Sequence, residues 1–121
     1  MGRRSRARGV AAPAAPSSDY HDADGNVLTL RGSLTLGARR DYAEALSGAG
    51  RPAAAREDNE GRALELLFER LAVRWQIAGV PIERPRELLT RLRAASPAER
   101  AWIAETLRGH CAEWFPDVQV P

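Results

Sequence analysis

The residues of this chain that could do chemistry are two histidines, one cysteine and a few closely spaced carboxylates. His21 and His110 lie too far apart in sequence to imply a pair. His110 and Cys111 are neighbours, which on a helix point about 100° apart and form no nucleophile–base dyad by themselves. Cys111 reads as a small core residue. Asp22, Asp24 and Asn26 stand at alternate positions, as oxygen ligands do in a calcium loop. That loop would need Gly directly after the third ligand and a closing Glu, and those places hold Val27 and Ser33. The reading here is a turn. Glu65 and Glu69, one helical turn apart among Arg62, Arg70 and Arg74, read as a solvated charged face. Trp75, Trp102 and Trp114 would serve a ligand cage or a core, and their place on apolar stripes favours the core. No Gly-rich phosphate loop, zinc spacing or G-x-S-x-G occurs. The expectation is a protein that is not an enzyme, with no catalytic residue, no metal and no cofactor.

Composition narrows the class further. A chain of 121 residues suits one domain whose core can stand without staples, and the single Cys111 excludes an internal disulfide. The early alanines, broken by Pro13 and Pro16, lack the apolar centre of a signal peptide. No stretch approaches the roughly 20 apolar residues of a membrane span. A cytoplasmic protein with no membrane contact is expected. All 18 basic residues are arginine, and without Arg3, Arg4, Arg6 and Arg8 the remaining 14 face 16 acids, a balance of −2. The positive charge therefore belongs to the leader. Met1–Ser18 reads as a disordered arm, because its Ala, Pro, Ser and Arg cannot bury enough apolar surface to offset ordering. Its four arginines would be the nucleic-acid contacts if there are any; the preferred reading is a solvated leader.

The elements that must position these residues start with a hairpin. Asp24-Gly25 between Asp19-Tyr20-His21 and Val27–Arg31 predicts two strands, with Leu28 and Leu30 on one face. A helix is predicted over Leu36–Leu46, capped by Thr35, with Leu36, Ala43 and Leu46 as its stripe and Tyr42 beside it. Gly48 and Pro52 stop it. The organising element is then Gly61–Ala78, read as one long helix. Leu64, Leu67/Phe68, Leu71, Trp75 and Ala78 recur at helical spacing, and Ala63, Leu66, Val73 and Ile77 widen the face. Asp58 or Asn59 would cap it, and Gly79-Val80-Pro81 would close it. A short helix over Arg86–Ala94 buries Leu88, Leu89 and Leu92. The last helix opens with the capping box Ser96-Pro97-Ala98-Glu99 and turns Ile103, Leu107, Cys111 and Trp114 inward until Phe115-Pro116. The predicted fold is α+β, mostly α with a small N-terminal β-hairpin, a small bundle of about four helices. The predicted domain runs from residue 19 to 115, after an arm over 1–18 and before a short tail over 116–121.

This order of elements carries a resemblance. The strand Val27-Leu28-Thr29-Leu30-Arg31 after Asp24-Gly25, Leu34-Thr35-Leu36-Gly37 opening a helix, and Leu71-Ala72-Val73-Arg74-Trp75-Gln76-Ile77 running into Val80-Pro81 precede two final helices. Over Asp19–Phe115 the chain resembles the small tail assembly chaperones of long-tailed phages and related prophage tail proteins. The resemblance implies a binding protein that coats a long helical tape-measure partner, keeps its apolar helices from aggregating and recruits tail-tube subunits, in the host cytoplasm if phage-encoded. Leu66, Val73 and Ile77, off the main face of the long helix, are the expected partner-binding seam. Two other classes stay open. One is a structural virion component at a tail or head–tail joint; the other is a small nucleic-acid-binding module using Arg3, Arg4, Arg6 and Arg8, disfavoured by the slightly acidic body.

Overall fold

The computed structural model describes residues 16–48 and 56–121. The predicted arm lies outside these residues except at its end, where Ser17 and Ser18 belong to the first strand. Strands β1 (Ser17–His21) and β2 (Val27–Arg31) form the expected hairpin, with Tyr20 opposite Leu28 and His21 opposite Val27. Its turn is built by Asp22. One carboxylate oxygen accepts the backbone N–H groups of Asp24 and Asn26 at 2.8 and 2.9 Å, the other the Asn26 side-chain amide at 2.9 Å. Gly25 takes a φ of 82° there, in the region only glycine enters freely. The Asp22 carboxylate thus holds the loop's own groups, as a turn requires.

Helix α1 (Leu36–Ser47) starts where Thr35 accepts the Ala38 N–H at 3.0 Å and ends at Gly48, left-handed with φ 61°. Its buried side is rotated from the predicted stripe. Ala38 and Tyr42 face the core, whereas Leu36 is 84 % exposed and Ala43 is exposed. Gly48 is required twice over, by its backbone angle and because a Cβ there would overlap the Asn59 side chain.

The long central helix is the main correction. Helix α2 (Arg56–Leu71) begins before the expected cap, so Asn59 lies within it, buried beside Gly48 and accepting from Arg62 at 2.9 Å. It stops at Leu71, and Ala72–Ile77 is strand β3. Ala78 and Gly79, with φ of 51° and 80°, turn the chain into β4 (Val80–Ile82), so that Gly79-Val80-Pro81 is a hairpin turn and strand rather than a helix stop. Two residues of positive φ are what a tight hairpin with right-twisted strands needs. Strand β3 pairs antiparallel with β2, Leu28 opposite Trp75, with a bulge that leaves Val73 as the extra residue between Ala72 and Arg74. The result is a four-stranded antiparallel sheet in chain order, where one hairpin was expected.

Helix α3 (Pro85–Arg93) buries Leu88 and Leu92 and leaves Leu89 half-buried. Helix α4 (Pro97–Trp114) has the predicted capping box. The Glu99 N–H donates to Ser96 Oγ at 3.1 Å, and the Ser96 N–H donates to the Glu99 carboxylate at 2.9 Å. The fold is thus α+β, with four helices and one sheet in the described residues. Leu28, Leu30, Ala72 and Trp75 from the sheet share one core with Leu67, Phe68 and Leu71 of α2, Leu88 and Leu92 of α3, and Ile103, Leu107 and Cys111 of α4. Glu65 joins α2 to the later helices, bonding Arg93 at 3.1 Å with Arg100 at 4.0 Å, so it is not simply part of a solvated face. No helix among the described residues is long and apolar enough to cross a membrane.

Candidate functional site

A hollow in the described surface arises where α4 ends. Phe115 leaves helical geometry and is itself buried, and after Pro116 the Val118 N–H donates back to the Phe115 carbonyl at 2.8 Å. That reversal sends Asp117–Pro121 across α1 towards α2 and α4. The predicted tail is therefore packed. Val118 and Val120 are half-buried against the core, while Asp117, Gln119 and Pro121 are exposed.

Three side chains hold the segment. The Arg39 guanidinium lies 5.3 Å from the centroid of the Phe115 ring and pairs with the Asp117 carboxylate, holding that carboxyl below its usual range. The Tyr42 hydroxyl donates to the Gln119 carbonyl at 2.6 Å, and burial pushes its phenol up to about 12. Arg108 donates through two nitrogens to the Pro121 backbone oxygen at 2.8 and 3.2 Å. A hollow of about 540 Å³ opens beside Asp117–Gln119, among Arg39, Tyr42, Ala43, Leu46 and Val118. Another of about 370 Å³ opens beside Val120 and Pro121, among Tyr42, Leu64, Ala104 and Arg108. Both are of the size that binds ligands, and Tyr42 stands between them. What this arrangement can do is hold a peptide segment, by apolar contacts and a hydrogen bond to its main chain.

The expected seam is not assembled. Leu66 is half-buried on α2, Ile77 packs against the core from β3, and Val73 is 38 % exposed at the bulge. They share no helical face, because the helix ends at Leu71. The more exposed apolar residue of this region is Val80, opposite Ile77. Arg3, Arg4, Arg6 and Arg8 lie outside the described residues.

The chemistry-bearing residues are used for packing. His110, fully buried, joins two distant strands to α4. Its Nε2 lies 2.8 Å from the Arg31 carbonyl, which can only accept, so that nitrogen carries the proton. Nδ1 then accepts from the Tyr20 hydroxyl at 2.6 Å, and burial lowers the imidazole pKa. Burial raises the Cys111 thiol to about 11, leaving it inert. Trp75 is buried edge-on to Phe68 with Arg91 5.0 Å from its ring centroid. Trp114 lies beside His110 and against Gly32, where a Cβ would come within 2.8 Å of its ring. Trp102 lines, with Trp75, Asp22, Asp24 and Glu99, a smaller cleft of about 220 Å³. Among the described residues no group of three His, Cys, Asp or Glu is placed to hold a metal ion.

The sequence reading missed both the groove and the role of His110. The alternation of Val118 and Val120 was the available signal for the groove. For His110 there was none, since its partners are 90 and 79 residues away. Comparison with protein-family models, curated proteins and solved structures gives no match to this chain.

Proposed function

We propose that this protein is a non-catalytic binding module of the tail assembly chaperone type. It holds an apolar segment of a long, largely helical tape-measure-like partner and brings tail-tube subunits to it, in the cytoplasm. The observation that carries this reading is the pair of hollows beside Tyr42, both with mostly apolar walls and both bordered by the segment Asp117–Pro121. The order of strands and helices that resembles those chaperones supports the choice of partner. Binding shifts from the expected Leu66–Val73–Ile77 seam to α1 and α4, because Leu66 and Ile77 pack against the core.

Co-expression with a tape-measure-like protein, followed by pull-down, tests the proposal. The intact chain should retain the partner in the soluble fraction. Ala43→Glu, which places a carboxylate at an exposed position of the larger hollow in a residue suited to helices, should release it without loss of fold. Retention unaffected by Ala43→Glu, or no retention by the intact chain, would contradict the proposal.

A further inference from the structure

The molecule seats one cationic side chain of its own beside the cleft at the start of α4. The Arg91 guanidinium lies 5.0 Å from the centroid of the Trp75 ring and pairs with the Glu99 carboxylate, both side chains half-buried. An indole face and a carboxylate hold a guanidinium together, through the ring quadrupole and the charge-assisted bond. The adjoining cleft of about 220 Å³ offers the same two groups again, in the half-buried Trp102 and the exposed Asp24. Here the pair has no cation. Asp24 is tied to Asp22 through its backbone N–H, and among the described residues its carboxylate forms no ion pair. Asp22, bonded within its own turn, adds a second negative charge to the wall, while Arg91 and Glu99 balance each other. Trp75 lines the same cleft at 2 % exposure, and its indole Nε1 has no hydrogen-bond partner among the described residues. An unpaired buried donor is costly, and the carbonyls of a peptide ligand are the acceptors such a donor lacks.

We infer that the cleft between the Asp22–Asp24 turn and the start of α4 recognises an arginine side chain of a partner peptide, its guanidinium stacked on Trp102 and paired with Asp24. The site shares no residue with the hollows beside Tyr42 and does not rest on the binding role proposed above. Guanidinium is preferred to ammonium because it is planar and stacks on an indole while donating to a carboxylate, as Arg91 does between Trp75 and Glu99. Both walls are set before a ligand arrives. The Asp22 carboxylate fixes the turn that carries Asp24, and the capping box of Ser96 and Glu99 fixes the first turn of α4, just ahead of Trp102. A preformed site spares the ligand the cost of ordering its receptor, which matters most where the contacts are few. Ala23 and Ala98 line the cleft with small side chains and leave room for a single large one.

The test titrates the full chain, labelled with nitrogen-15, with the peptide Ac-Gly-Arg-Gly-NH2 and follows its backbone and indole N–H resonances. Saturable shifts should appear at the Trp102 indole and at the Asp24 and Ala98 amides, with the Trp114 indole unmoved. Asp24→Asn should weaken binding about threefold, the range of an exposed ion pair. Trp102→Leu should weaken it about two- to fivefold, the range of an exposed cation–π contact. Asp24→Asn changes only an exposed side chain, so it decides the matter if Trp102→Leu does not fold. Replacing the peptide's arginine by citrulline, planar but neutral, should abolish the shifts. Replacing it by lysine, charged but not planar, should weaken them. No saturable shift, shifts centred on α1 instead, or undiminished binding by Asp24→Asn or by the citrulline peptide would overturn the site. Lysine bound as tightly as arginine would overturn its assignment to a guanidinium.

Discussion

His110 is the residue whose chemistry has been converted into structure. Its two nitrogens tie Tyr20 of β1 and the carbonyl of Arg31, at the end of β2, to α4, and Trp114 and Phe115 lie against its ring. The neutral form is required, so the folded pKa falls below the ordinary 6.5. The unfolded chain then takes up a proton first. Stability from this group is therefore present above about pH 6.5 and is lost as pH falls through the window down to the folded value. Thermal midpoints should decline as pH falls below about 6.5. His110→Gln should flatten that dependence while costing about 1–3 kcal/mol through the bonds it cannot remake. Cys111, one residue on, offers a second readout. Alkylation of its buried thiol should proceed only at the rate of opening, so a fast reaction in native buffer would contradict its place in the core.

At the scale of elements, the β3–β4 hairpin decides the fold, and it is where sequence reading failed for a physical reason. Leu71, Trp75 and Ala78 satisfy helical spacing, while Trp75 and Ile77 satisfy strand alternation, and a short apolar run fits both templates. Gly79 followed by Pro81 also matches a helix stop as well as it matches a turn. The capping box at Ser96 and the Asp24-Gly25 hairpin were legible because each is a local bonding pattern. Strand β3 was not, because one partner, β2, is far away in sequence and the other, Val80–Ile82, is too short to stand out. The hairpin makes two predictions by denaturation. Ala78→Gly should raise stability by about 0.5–1 kcal/mol, since an alanine at φ 51° bears a strain that glycine does not. Ile77→Asp should cost about 2 kcal/mol or more by putting a carboxylate against the core, while Val73→Asp, at the exposed bulge, should cost under about 1 kcal/mol. Equal effects of the two Asp substitutions would restore the idea of a shared face.

For the molecule as described, the sheet and the four helices make one core, and the groove around Tyr42 lies outside it on α1, α2 and α4. Its walls were partly legible, since α1, its Thr35 cap and the end of α4 at Phe115 all follow from local residues. The groove itself was not, because it forms only when Asp117–Pro121 folds back onto Arg39, Tyr42 and Arg108. The most direct measurement of the central claim is amide hydrogen exchange of the full chain, alone and with a tape-measure-like partner. Protection should rise along α1 from Ala38 to Ser47, which borders the larger hollow. Protection confined to β3 and β4, or exchange unchanged throughout, would contradict the account.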